Sequence, residues 1–152
     1  MNRSNLDSTL KSLQESDDNI TILDDGWSQG RSAFGGISAA FAMTAMRKLV
    51  PNDLPLRSLS VSFIAPVPPG KVLVETKIIR KGKSVIQAEA SLVCNDNICL
   101  RAMAAFGYAR ETYEIPSNKS FKPKPRGSGV NFEDHAKQTP GFLQFFEGEW
   151  VN

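Results

Sequence analysis

Between Gly35-Gly36 and Pro51 runs the segment Ile37 to Val50, ISAAFAMTAMRKLV, and it restricts the fold more than any other part of the chain. Alanine and methionine favour helix, and here apolar residues fall all round the helical wheel. A helix that is apolar on every side is expected to be buried on every side. Its only charges, Arg47 and Lys48, stand in the last turn, where cations suit the negative end of the helix dipole. Pro51-Asn52 then stops it. The segment is well short of the ~20 residues that cross a bilayer, so no membrane is implied. The rest of the chain must therefore enclose this helix.

Strands come after the helix. Leu56 to Ile64 alternates, with Leu59, Val61 and Phe63 on one face and Ser58, Ser60 and Ser62 on the other. Pro66, Pro68, Pro69 and Gly70 make a turn. Lys71 to Lys81 puts Val72, Val74, Thr76 and Ile78 on one side. Gly82-Lys83 turns the chain into Ser84 to Cys94, where Ile86, Ala88, Ala90 and Leu92 share a face. Ile98 to Tyr108 sets Ile98, Leu100, Ala102, Ala104 and Phe106 against Cys99, Arg101, Met103 and Ala105. The repeated alanines suit a sheet that a helix approaches closely. Ahead of the helix, Ser4 is expected to cap a short helix carrying Leu6, Leu10 and Leu13. Asn19 to Asp24 reads as a short strand, and Gly26 to Phe34 as a polar loop. Short connections favour antiparallel neighbours. The expected fold is α+β: a long apolar central helix wrapped by a five-stranded antiparallel sheet, the hot-dog arrangement.

At 152 residues the chain holds one such domain. Residues 1–18 form an N-terminal helical segment, 19–112 the hot-dog domain, and 113–152 a Pro/Lys-rich linker with an aromatic C-terminal segment, Phe142 to Trp150. Those aromatics need cover from this domain or from a partner, and a partner is the expectation. The net charge of +2 gives no reason to invoke nucleic acid. The polar N-terminus has no apolar core of a signal peptide, so a cytoplasmic location is expected. A two-residue turn at Asp96-Asn97 would set Cys94 opposite Cys99 and allow a disulfide. The alternative is two buried thiols in a reducing compartment. Two cysteines and the distant His135 do not make a zinc site, and no cofactor is implied.

Several stretches in fixed order carry a resemblance: Phe34-Gly35-Gly36 with the helix after it, PLRSLSVSFIAPVPPG from Pro55 to Gly70, IRKGKS from Ile79 to Ser84, and AAFG from Ala104 to Gly107. Together they resemble the N-terminal hot-dog repeat of acyl-CoA thioesterase II-like proteins, over roughly residues 20 to 110. The phenylalanine-rich end is similar to that family's inter-repeat segment. The resemblance implies hydrolysis of fatty acyl-CoA to free acid and coenzyme A. It also implies that the catalytic aspartate, hydroxyl residue and glutamine belong to a second repeat, which is not expected in this sequence. A histidine present in the second strand of some members has no counterpart between Arg57 and Phe63.

Thioester hydrolysis needs a water oriented by a carboxylate and donors aimed at the developing oxyanion. Gly35 and Gly36 are the candidate donors, since amides at a helix N-terminus are unpaired and the dipole favours negative charge. Close packing of helix on sheet is the alternative reason for glycine there. From Gly26 to Met46 there is no carboxylate, which leaves Asp25, beside Asp24, as the candidate base. Glu75 and Glu89 read as solvated strand charges. Ser38 and Thr44 offer hydroxyls, or simply bond their own backbone. Coenzyme A would bring phosphates, for which Arg57, Arg80 and Lys83 are the candidates, with Lys81, Arg101 and Arg110 near in pattern. Phe34, Ile37 and Phe63 are the candidate lining of an acyl slot, with Phe41 and Met103, unless they are ordinary core. Two readings stay open: a thioesterase acting on acyl-CoA, or a non-catalytic acyl-CoA-binding half-unit. Both call for a homodimer or a complementing second hot-dog. A hydratase or dehydratase would want a histidine inside the domain, and His135 falls outside it.

Overall fold

The computed structural model describes residues 5–113, 116, 122, 124–132, 134 and 139–151. In chain order its elements are α1 (Leu6–Glu15), β1 (Ile20–Leu23), a 3-10 turn (Asp25–Trp27), β2 (Ser28–Gln29), β3 (Ser32–Ala33), α2 (Gly35–Arg47), β4 (Leu56–Phe63), β5 (Gly70–Lys81), β6 (Val85–Cys94), β7 (Asn97–Gly107), β8 (Val130–Asn131), a 3-10 helix (Gly141–Phe145) and β9 (Glu149–Trp150). The main sheet is five-stranded and antiparallel throughout, in the order β1-β5-β6-β7-β4. The expected α+β hot-dog sheet is thus present, with β4 at one edge. Among the described residues no helix is long and apolar enough to cross a membrane.

The period-two patterns set the faces. Val72 and Val74 of β5, Ile86, Ala88, Ala90 and Leu92 of β6, and Leu100, Ala102, Ala104 and Phe106 of β7 are all buried. Helix α2 lies on these three strands. Its Ala42 and Ala45 are buried, as are the four strand alanines, so small side chains line both sides of the contact.

The helix differs from its expected form in two ways. It begins at Gly35, because Phe34 takes the N-cap place with extended backbone and its carbonyl accepts the amides of Ile37 and Ser38. It ends at Arg47: Lys48, Leu49 and Val50 make three-residue bonds back to Ala45, Met46 and Arg47, a tightening that Pro51 makes final. Nor is it buried on every side. Ile37, Ser38, Phe41, Ala42, Ala45 and Met46 are enclosed, but Ala39, Ala40, Met43 and Thr44 are half-buried. α1 reaches α2 and β1 through Leu10 and the fully buried Leu13. One short amphipathic helix is too narrow to cover the outer face.

Three local expectations are corrected. Asn5 caps α1, its side chain accepting the Ser8 amide at 2.9 Å; Ser4 lies outside the described residues. The stretch from Gly26 to Phe34 is more than a polar loop: Asp24 caps the 3-10 turn through the Gly26 amide, and Trp27, 1% exposed, anchors the stretch in the core. The β6–β7 turn is Asn95-Asp96, both in left-handed backbone with φ of 49° and 60°, the conformation of a type I′ turn. Cys94 therefore pairs with Asn97, so the two cysteines are neighbours without standing directly opposite each other. Both thiols are free and buried.

Candidate functional site

β4 is the edge strand, and its apolar row extends beyond the helix. Leu59, Val61 and Phe63 pair with Ala104, Ala102 and Leu100 and so point to the helix side of the sheet. The row is covered unevenly: Val61 packs against the core, while Phe63 is 62% exposed and Leu59 37%. The far end of this row meets the start of α2. A Cβ on Gly35 would stand 3.1 Å from Cζ of Phe63, and one on Gly36 would run into the ring of Phe34. A side chain at either place would have to push one of these rings aside, so side chains frame the helix N-terminus on two sides.

The amides of Gly35 and Gly36 donate to no acceptor among the described residues. Those of Ile37 and Ser38 turn inward to the Phe34 carbonyl. The turn itself is held from below, since the Phe34 amide donates to the Trp27 carbonyl at 2.8 Å and the Ala33 amide to the Val67 carbonyl at 2.7 Å. Two free N–H groups at the positive end of a helix, framed by aromatic rings, suit a carbonyl oxygen that gains charge.

The other predicted residues fall differently. Ile37 is 1% exposed and belongs to the core beneath the glycines. Asp25 is exposed, and its Oδ1 accepts the Ser28 hydroxyl at 3.0 Å. No hydrogen bond joins it to Gly35 or Gly36 among the described residues. Arg57 donates through Nε to the Gly107 carbonyl at 2.8 Å, across the irregularity in the β4–β7 pairing. Arg80 and Lys83 meet as expected, and the fold adds Arg110 and Gln87 beside them around an open groove of ≈ 350 Å³. The Tyr108 amide, donating to the Ser84 carbonyl at 3.3 Å, ties the end of β7 to that hairpin. No group of three or more His, Cys, Asp or Glu side chains gathers among the described residues, and His135 lies outside them.

The candidates therefore form two groups. Phe34, Gly35, Gly36, Ile37 and Phe63 lie at the C-terminal end of β4. Arg57, Arg80, Lys83 and Arg110 lie at its N-terminal end, where Leu56 pairs with Phe106. At about 3.3 Å per residue the two ends are roughly 20 Å apart.

Sequence reasoning missed a third component. The aromatic end folds back onto this domain, which takes the place of the expected partner as its cover. Phe142 stacks on Phe34 with centroids 4.1 Å apart and planes 4° from parallel. Phe145 stacks on Trp27 at 4.0 Å and 15°. Phe146 meets both Trp27 and Phe34 edge-on. The signal available was a tryptophan alone in a polar stretch just before Phe34, together with the run of phenylalanines that it needed.

Comparison with known proteins is consistent with this geometry. A model of the acyl-CoA thioesterase N-terminal domain family matches residues 23–107. A hot-dog protein of unknown function from Alicyclobacillus acidocaldarius is similar over 94% of this chain and 55% of its own, with 20% identity and a TM-score of 0.79. A candidate thioesterase II from Thermobifida fusca is similar over 75% of this chain and 42% of its own, at 20% identity and a TM-score of 0.58. A Bacillus halodurans protein solved with CoA matches 58% of this chain and 64% of its own, at 19% identity and a TM-score of 0.52. This chain thus spans about half the length of the first two. A search of the curated proteins returned no match.

Proposed function

We propose, for a chain that belongs to the acyl-CoA thioesterase N-terminal domain family, that it binds fatty acyl-CoA thioesters and acts as one half of a paired hot-dog unit. The observation that carries this reading is the uncovered β4 edge ending at the unpaired Gly35 and Gly36 amides. A thioester carbonyl at those amides would have its developing charge met by two donors and the helix dipole. Phe34 and Phe63 would flank the acyl group, while Ile37 shapes the floor from within the core.

Pairing supplies what one unit lacks. An edge strand offers a free row of N–H and C=O groups to another strand. Antiparallel pairing of β4 with the β4 of a second copy, or of a complementing second hot-dog, turns the Arg57 end of one unit toward the Phe63 end of the other. Arg57, Arg80 and Lys83 of one unit would then serve the phosphates of a coenzyme A whose thioester sits at the glycines of its neighbour. The carboxylate that activates water would come from the second unit. Two unbridged thiols are in keeping with action in the reducing cytoplasm.

The test combines association with chemistry. Sedimentation should give a dimer, and Leu59→Lys with Val61→Lys should yield a folded monomer that loses acyl-CoA binding. Free-thiol release from decanoyl-CoA should stay at the uncatalysed rate for the isolated chain. A monomeric parent that binds acyl-CoA fully would overturn the paired reading.

One observation favours a catalytic alternative within the chain. Asp25 is an exposed carboxylate on the same turn whose Trp27 carbonyl holds Phe34. If Asp25 acts as general base, decanoyl-CoA is hydrolysed and Asp25→Asn abolishes the turnover while binding persists.

A further inference from the structure

We propose that the groove floored by Trp27 and Phe34 is the acyl-chain subsite, and that the chain's own Phe142–Phe146 segment fills it until an acyl chain displaces it. The inference rests on the reading of Gly35 and Gly36 as the thioester end of the site. From there two apolar directions are open. Toward Phe63 the surface is open to water, since that ring is 62% exposed. Toward Phe34 and Trp27 it is enclosed, because Phe142 and Phe145 lie flat on those rings. The Phe34 ring lies directly over Gly36, so the enclosed direction begins at the free amides. A saturated chain and a stack of phenyl rings are alternative fillers of the same apolar space.

The manner in which the segment is held suits displacement. Gly141–Phe145 is a single 3-10 helix set against the 3-10 turn Asp25–Trp27 and strand β2. It adds no strand to the main sheet. Its hold on the domain includes the ring faces and the packing of Phe142 and Leu143 on the core, with a long bond from Gln144 Nε2 to the Gly26 carbonyl at 3.4 Å. Ahead of it, residues 113, 116, 122 and 124–126 are all exposed, and β8 and β9 on either side pair with each other and not with the main sheet, so the segment and its flanks leave together while the five-stranded sheet stays intact. The closed arrangement also carries a cost: Trp27 Nε1 is buried with no hydrogen-bond partner among the described residues, a state polar groups avoid. Lifting the segment lets water reach that donor.

Titration calorimetry with decanoyl-CoA and with CoA alone tests this, comparing the full chain with Phe142→Ala/Phe145→Ala. The expected result is at least ~10-fold tighter binding of decanoyl-CoA by the variant and an unchanged affinity for CoA, because hydrophobic affinity is no longer spent on expelling the rings. In a Trp150→Phe background, where Trp27 is the remaining tryptophan, decanoyl-CoA should also red-shift the emission of the otherwise native chain. A variant that merely unfolded would bind less, the opposite sign, and circular dichroism with the milder Phe142→Leu identifies that case. Equal or weaker binding by a folded variant overturns the plug and leaves the thioester site standing. Binding of decanoyl-CoA by neither protein overturns the site reading, and the plug with it.

Discussion

Replacing Gly36 with alanine would put a methyl group 2.9 Å from Cζ of Phe34 and closer still to its Cε1. The backbone there is the first turn of α2 and fixed by the Phe34 cap, so the ring must move. The ring is not free, since it stacks on Phe142 and takes the edge of Phe146. Each aromatic pair is worth about 0.5–1.5 kcal/mol beyond its burial, so losing both costs roughly 2 kcal/mol. Alanine returns up to ~1 kcal/mol of helix propensity. The net expectation is a loss of roughly 1 kcal/mol, or a Tm lower by about 2–4 °C for a chain of this size. Thermal melts followed by circular dichroism measure it, and a double-mutant cycle assigns the cause. With Phe142→Ala already present, Phe34 has room to swing and Gly36→Ala should become neutral or slightly stabilising. The same loss in both backgrounds would refute the idea that Phe34 and the C-terminal segment are coupled at the helix N-terminus.

Two more outcomes are expected from individual side chains. Burial, reinforced by the Cys99 thiol, pushes the Cys94 thiol up from 9.0 to about 12; the unfolded chain therefore loses that proton first. Its contribution to stability is intact below pH 9 and lost as pH rises toward 12, at up to ~1.4 kcal/mol per pH unit. Urea melts at about pH 8 and 10.5 should show the parent losing roughly 2 kcal/mol more than Cys94→Ala, and equal losses would contradict the burial argument. At the cationic groove, Arg80→Ala with Arg110→Ala should weaken CoA binding about 10-fold and flatten its dependence on salt; an affinity that keeps its salt slope would place the phosphates elsewhere.

Much of this architecture was legible residue by residue. Alternation in Leu56–Phe63 and Val85–Cys94 named the faces, because side chains on a strand alternate whatever lies beside them. The alanines of β6 and β7 announced the close approach of a helix. Gly35-Gly36 marked the approach to the helix, though not its first residue. Less legible were features set by one bond or one turn. Helix α2 starts at the glycines because the Phe34 carbonyl accepts two amides, and Cys94 stands opposite Asn97 instead of Cys99 because Asn95-Asp96 takes the turn. A shift of one residue in a hairpin changes every cross-strand partner, and composition holds no record of it.

By itself, then, the amino-acid sequence determined that an apolar helix would lie on an antiparallel sheet and which faces would touch. Those are consequences of local periodicity and backbone chemistry. Only the tertiary structure decided that β4 crosses to the far edge beside β7, so that Arg57 and Phe63 stand at opposite ends of an open strand. It also decided that Phe142 and Phe145 return to cover Phe34 and Trp27. Both outcomes join residues far apart in the chain, and such pairings are settled by competition among all the apolar surfaces for cover, a quantity that no local pattern contains.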